Sequence, residues 1–271
     1  MLKQRILTAL VLAPLVLAGV FVLPVDQFHW FVLPVIALGG WEWANLSDLR
    51  QPLPRVAFGG AMAALLFLLL PWAPAPMLVL GLLFWCVALY WVVTYPATAV
   101  QWRSTLMRLG SGVLVLVPAG VALMVLKNSG NQLLLLLLLL VWGADIGAYF
   151  AGRRWGRAKL APQVSPGKTR AGLYGGVCCS LLIALGAALV WQLTPTQTLA
   201  LLLVCLVTAL ASVLGDLAES MFKRQRGIKD SSALLPGHGG VLDRIDSITA
   251  AAPLFALGTT LSGLGSLLAT H

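Results

Sequence analysis

The chain of 271 residues is 59% hydrophobic and 10% charged, with a formal net charge of +9 and a mean hydropathy of +0.92. Soluble domains carry about a quarter charged residues, so this composition excludes one, and apolar runs of membrane-spanning length recur throughout. The basic excess does not indicate nucleic acid, because its distribution follows membrane topology.

The expected fold is an all-α, polytopic integral membrane protein, since only helices satisfy their own backbone groups across an apolar layer. Nine spans are predicted, at 6–23, 28–46, 56–72, 76–95, 109–126, 132–151, 172–191, 197–219 and 241–268. The first follows Lys3 and Arg5 and resembles a signal peptide, but Pro24-Val-Asp-Gln27 leads straight into the next apolar run, as a retained span does. With the N-terminus in the cytoplasm, 16 of the 18 Lys and Arg fall in segments on that side. That asymmetry is the positive-inside pattern. Lys127 is expected in an opposite-side loop, and Arg244 at the start of the last span.

Along the first half, the second span ends in Trp41-Glu42-Trp43, read as an interfacial aromatic anchor with a solvated carboxylate. Gln51-Pro-Leu-Pro54 and Pro71-Trp-Ala-Pro-Ala-Pro76 mark turns. Cys86, Cys178, Cys179 and Cys205 all lie in apolar runs without zinc spacing and behave as small hydrophobes. Residues 1–130 read as a scaffold half and 131–271 as a catalytic half of one membrane domain, with cytoplasmic loops at 152–171 and 220–240.

The second half holds the chemistry. Asp145 is the only acid of the sixth span, and three roles are open to it: joining a metal site, orienting a loop cation, or binding nucleotide. Ser165-Pro-Gly-Lys-Thr169 looks like the end of a P-loop, but Pro162 stands where the motif needs its first glycine, and no strand is expected before it. Ser165, Lys168 and Thr169 remain candidates for phosphate contact. Arg153, Arg154, Arg157 and Lys159 form a less specific patch, explained as well by anionic lipid.

Five of the nine acidic residues, Asp216, Glu219, Asp230, Asp243 and Asp246, lie between 216 and 246. Asp216, Glu219, Ser220 and Lys223 share one helix face by spacing, as do Asp243 and Asp246. Carboxylates at membrane depth are costly unless paired or bound to a cation, and hard oxygen ligands suit Mg²⁺ shared with substrate phosphates. Pro236-Gly-His-Gly-Gly240 supplies a backbone that approaches phosphate closely before a helix N-terminus, with His238 as a contact.

Ser220-Met-Phe-Lys-Arg224, Lys229-Asp230 and Pro236-Gly-His-Gly-Gly-Val-Leu-Asp-Arg-Ile-Asp246 together resemble the signature of the phosphatidate cytidylyltransferases, with Ser165–Thr169 and Gly215-Asp216 as further shared elements. The resemblance covers most of 140–255. It departs at Ala171, where relatives often carry Glu or Gln, so no polar role is carried to that position. The resemblance implies transfer of CMP from CTP to phosphatidic acid, giving CDP-diacylglycerol and pyrophosphate. It implies Asp216 and Asp243 as Mg²⁺ ligands in a one- or two-cation centre, supported by Asp246. Lys223, Arg224, Lys229 and Arg244 would contact phosphates of CTP or lipid, with Asp230, Ser220, Gly239 and Gly240 lining the same site and Ser165 and Lys168 closing its other side. The expected partners are CTP, phosphatidic acid and the bilayer of a bacterial inner membrane, with no nucleic acid and a homodimer left open. A CTP-dependent lipid kinase is the nearest alternative. A cation-coupled transporter would place its charges near mid-membrane, whereas these gather at the cytoplasmic edge.

Overall fold

The computed structural model describes residues 2–268; the side chains of Lys3 and Arg5, the basic flank of the first expected span, lie outside the described residues. Four helices open the chain: α1 (Leu2–Phe21), α2 (Phe28–Leu46), α3 (Pro52–Leu69) and α4 (Pro74–Thr94). A short α5 (Ala99–Trp102) precedes α6 (Thr105–Ser129) and α7 (Asn131–Trp155). A hairpin of β1 (Lys159–Ala161) and β2 (Ser165–Thr169) leads into α8 (Arg170–Val190) and α9 (Pro195–Arg226), then α10 (Leu242–Leu261) and α11 (Leu264–Leu268).

Six of these helices, α3, α4, α6, α7, α8 and α9, are long and apolar enough to cross a membrane. The helix expected for the last span falls outside that set because α10 opens with Asp243, Arg244 and Asp246. It also ends at Leu261, and α11 is separate, so 241–268 is not one continuous helix. α2 carries His29, Glu42 and Asn45, and the described apolar part of α1, Leu10–Phe21, is short.

Helix packing follows small residues, since lipid gives apolar helices no reason to prefer one another and close backbone approach must supply the attraction. On α7, Gly143, Gly147 and Ala151 recur every four residues and face a matching row on α8. A Cβ at Gly147 would meet the Gly175 carbonyl, and one at Gly176 would lie 2.7 Å from the Ala144 carbonyl. Ser180 adds a hydrogen bond from its hydroxyl to the Leu140 carbonyl at 3.0 Å. α9 and α10 cross at Gly215, where a Cβ would run into the Asp246 carbonyl. That contact sets the distance between the two acidic helix ends.

Local signals fix the ends. Thr194 and Gln197 form a capping box at the start of α9, and Gly227, at φ 75°, closes it in the left-handed conformation that glycine adopts without penalty. Because α9 continues to Arg226, Ser220, Lys223 and Arg224 stand on helix and not in the loop expected from 220. α7 likewise extends to Trp155. Lys127 is not in a loop: it is buried in the last turn of α6, donating to the Val20 carbonyl at the end of α1 and to Asn131 Oδ1.

Candidate active site

The acidic residues converge where the C-terminal end of α9, the start of α10, the end of α7 and the β1–β2 hairpin meet. Asp216, Glu219 and Lys223 project from one face of α9, as their spacing requires. Lys223 is the hub: its ammonium donates to Asp243 Oδ1 at 2.7 Å and lies 3.2 Å from Glu219 Oε2. Lys168, carried in by β2, pairs with Asp216 Oδ2 at 2.7 Å, and the Ser220 hydroxyl donates to Asp216 Oδ1. The two lysines bridge three elements that the chain separates widely.

The four carboxylates have different surroundings. Asp243 accepts from Lys223 on one oxygen and, on the other, from the Ser231 N–H, the Ser231 hydroxyl and the Gly240 N–H at 2.7–2.9 Å. It organises the 231–240 loop. Asp246 accepts from the Ser247 N–H and has Glu219 and Asp216 as charged neighbours. Glu219 is 2% exposed, and neither of its carboxylate oxygens accepts a hydrogen bond. The sequence pairs Asp216 with Asp243; the structure puts Asp216 beside Asp246 and gives Asp243 to Lys223 and the loop. Asp145, on α7, has Lys168, Asp216 and Arg244 as its charged neighbours.

Among the described residues no three carboxylate, imidazole or thiol groups form a ready-made metal cage. The donor set nevertheless fits a divalent cation. Glu219 is buried with its Oε1 lacking any donor and its Oε2 facing only the Lys223 ammonium, and lysine ammoniums stand in cation positions beside Glu219, Asp216 and Asp243. Leaving such oxygens unpaired is expensive, and a hard cation satisfies them.

The remaining candidates divide. The Arg224 Nε donates to the Val164 carbonyl, tying α9 to the hairpin turn. Thr169 is buried and its hydroxyl oxygen caps α8 by accepting from the Gly172 N–H, while Ser165 sits half-buried on β2. That hairpin also corrects the expectation that no strand precedes the Ser165–Thr169 segment, although β1 is antiparallel to β2 and the arrangement is still not a P-loop. Gly239 has φ 81°, and a Cβ there would lie 2.6 Å from Asp243 Oδ2. His238 Nδ1 is buried without a partner. Lys229, Asp230 and Arg244 are exposed at the rim.

Sequence reasoning missed Glu42, Ser231 and Ser232. Glu42 is not a solvated anchor: it is 0% exposed and accepts from the Ser232 hydroxyl at 2.6 Å, the Val241 N–H at 3.0 Å and the Leu242 N–H at 2.6 Å. It therefore caps the N-terminus of α10 from another helix. Its neighbours add to the clamp, with Asn45 Nδ2 donating to the Ser231 carbonyl and Arg226 to the Asn45 carbonyl. In the adjoining turn the Asp48 carboxyl is held below the usual carboxylate range, first by the hydrogen bond from Arg50 and then by the charges of Arg50, Arg226 and Arg108. The available signal was an acid set among apolar residues at a helix end, which also describes an interfacial anchor.

A polytopic helical protein whose carboxylates and lysines meet at one end of its spans, beside a glycine-rich turn, is built as a membrane enzyme acting on phosphate groups. Residues 3–261 match the family described as the Cytidylyltransferase family. Similar proteins include the phosphatidate cytidylyltransferase of Pseudomonas aeruginosa, 50% identical over 270 residues that cover 98% of this chain and 100% of that protein. The phosphatidate cytidylyltransferase of Haemophilus influenzae is 41% identical, with 94% and 98% covered. That of Staphylococcus epidermidis is 34% identical, with 93% and 97% covered. The chain belongs to the cytidylyltransferase family.

Proposed function

We propose that this enzyme transfers the cytidylyl group of CTP to phosphatidic acid, forming CDP-diacylglycerol and pyrophosphate at the cytoplasmic face of a bacterial inner membrane. The observation that carries the reading is the convergence of Asp216, Glu219, Asp246 and Asp243 with Lys168 and Lys223 at one end of α9 and α10. The names of the relatives support the choice of substrates.

A phosphate oxygen of the lipid attacks the α-phosphorus of CTP; the new P–O bond forms as the bond to the β-phosphate oxygen breaks, and pyrophosphate leaves. The nucleophile is already an oxyanion near neutral pH, so no strong base is required. The obstacle is repulsion between two polyanions. Lys168 and Lys223 are held by carboxylates in the positions where phosphate charge would gather, and Arg224 and Arg244 stand at the rim. Fixed charges of this kind position both reactants and favour the transition state without reorganising. When bound, Mg²⁺ supplies charge neutralisation at the transferring phosphate; Asp216 and Asp246 would hold it, with Glu219 behind them and Asp243 engaged by Lys223 and the loop. Asp243, accepting from the Ser231 and Gly240 N–H groups, would hold the 231–240 loop beside the phosphates.

The test is purified protein with phosphatidic acid, Mg²⁺ and CTP labelled at either the α- or the γ-phosphate. Label extracted into lipid from α-labelled CTP alone is expected. Lipid labelled from the γ-position would mean a CTP-dependent kinase instead.

A further inference from the structure

At the end of the bundle that holds the carboxylate–lysine site, three arginines from three parts of the chain gather around one carboxylate. Asp48, in the turn after α2, accepts from Arg50 Nε at 3.1 Å and lies 3.4 Å from the Nε of Arg226, the last residue of α9. Arg108, in the first turn of α6, adds its charge to the same carboxylate. Asp48 itself has φ 70°, the left-handed conformation that few residues other than glycine, asparagine and aspartate adopt readily.

Helix capping explains part of this cluster. The last carbonyls of a helix need donors, and Arg226 Nε and Arg108 Nη1 serve the Asn45 and Leu46 carbonyls of α2 at 3.0 Å each. Arg50 serves Asp48 instead. Three guanidiniums against one carboxylate leave positive charge in excess, in a place where Arg108 is 7% exposed, and buried charge without a partner is costly. Two polar groups are idle there as well. Arg108 Nε and the hydroxyl of Ser47, a residue 0% exposed beside Asp48, are buried without hydrogen-bond partners. Capping requires neither a third arginine nor an idle nitrogen on the most buried one. A phosphate group carries about one to two negative charges and accepts from forked N–H donors, so it answers both the charge and the open donors.

We infer that Arg50, Arg108 and Arg226 form a second phosphate-binding site, for the phosphate of an anionic lipid headgroup or of a soluble anion, with Asp48 as its internal competitor. The site lies outside the reaction centre but is bonded to it. Asn45, whose carbonyl takes Arg226, donates through Nδ2 to the Ser231 carbonyl; Ser231 in turn donates to Asp243, the partner of Lys223. An anion drawn onto Arg226 therefore steadies the far end of that relay and, through it, the 231–240 loop. Binding here does not depend on the reaction proposed above and is read without turnover.

The test follows the thermal unfolding midpoint of the full-length protein in phosphatidylcholine nanodiscs without Mg²⁺. In one arm inorganic phosphate is titrated against chloride at constant ionic strength. In the other, phosphatidylglycerol replaces part of the phosphatidylcholine and no phosphate is added. A saturating rise of the midpoint in at least one arm is expected. Phosphatidylglycerol acting alone would assign the site to a lipid headgroup, and inorganic phosphate acting alone to a soluble anion. Arg50→Gln, changed at a side chain 73% exposed, should bind about tenfold more weakly, the scale of one charge-assisted hydrogen bond. Asp48→Asn keeps a residue that tolerates the left-handed turn and removes the competing charge, so binding should tighten by about threefold; a purely structural aspartate would leave the affinity unchanged. Lys168→Ala should respond as the wild type does, because its lysine belongs to the active site. No rise in either arm would overturn the inference. An equal rise in wild type and Arg50→Gln would be the general stabilisation that phosphate gives any folded protein and would overturn it too. So would a response lost in Lys168→Ala, which would place the anion in the active site.

Discussion

Glu42 and Leu242 are 200 residues apart in sequence, and the Leu242 N–H donates to Glu42 Oε2 at 2.6 Å. The first half of the chain is therefore joined to α10 through a buried carboxylate that caps it. Val241 and Ser232 donate to the other oxygen, so one side chain fixes both the helix start and the loop before it.

Replacing this carboxylate should show as a loss of both stability and rate. In Glu42→Gln the amide presents N–H to the Leu242 N–H, leaving a buried donor unpaired at a cost of about 1–3 kcal/mol. Thermal unfolding in detergent measures that term. Turnover at a temperature where the variant is fully folded should fall as well, because the 231–240 loop loses its anchor. Ser232→Ala removes a single hydrogen bond and should have the smaller effect on both. A folded Glu42→Gln enzyme with wild-type turnover would confine the residue to stability alone.

Gly240 tests the same clamp from the opposite side. A Cβ there would collide with both Glu42 Oε1 and the Ser231 hydroxyl. Its N–H donates to Asp243 Oδ2, so the backbone is pinned where the side chain has no room. Gly240→Ala should displace the loop from Glu42, costing roughly 1–3 kcal/mol, the usual range for overpacking. The double variant with Glu42→Gln should lose less activity than the product of the two single losses, since both act on one contact. Strict multiplication of the losses would show that the clamp is not shared.

Asp216 and Asp243 should separate when each is changed to Asn. Asp243 is 9% exposed, bound by Lys223 and by three loop donors. Removing its charge leaves a buried lysine with one partner fewer and should destabilise the protein by about 3–5 kcal/mol, the cost of breaking a buried pair. Asp216 has a side chain 30% exposed and pairs with the equally accessible Lys168. Asp216→Asn should shift unfolding by less than about 1 kcal/mol yet lower cytidylyl transfer by about a hundredfold or more, as expected for a group acting on the phosphates. A raised Mg²⁺ requirement in Asp216→Asn would assign its charge to the cation. Equal stability losses in both variants would contradict the division of roles.

The charge asymmetry, the helical faces of 216–223 and 243–246 and the glycine turn were legible because each depends on residues close in sequence. The contacts that decide the site are not local. Lys168 reaches Asp216 because β1 and β2 fold back under α9, and nothing in Ser165–Thr169 announces a hairpin. Asp246 has Asp216 as a charged neighbour because Gly215 lets α9 and α10 touch at the Asp246 carbonyl, a matter of crossing geometry. Glu42 was misread because a Trp-Glu-Trp segment at a helix end looks the same whether its acid meets water or a partner helix. Lys127 was misplaced for a similar reason: its partner, the Val20 carbonyl, belongs to a different helix.

Lys168 supplies the sharpest test of the phosphate assignment. Its ion pair with Asp216 joins side chains that are 25% and 30% exposed, so solvent screens it and its contribution to stability is within about 1 kcal/mol. A purely structural lysine here would therefore be nearly silent when removed. A lysine that meets triphosphate loses a charge-assisted hydrogen bond of about 1.5–3 kcal/mol, which is on the order of tenfold or more in affinity. Lys168→Ala should raise the KM for CTP by roughly that factor while the unfolding temperature scarcely moves. Lys168→Arg, which keeps the charge but changes the donor geometry, should recover part of the loss. Raising ionic strength should weaken CTP binding more in the wild type than in Lys168→Ala, because the variant has one fewer charge to screen. A Lys168→Ala enzyme with unchanged KM for CTP would remove the hairpin from the nucleotide site and leave its lysine as a partner of Asp216 only.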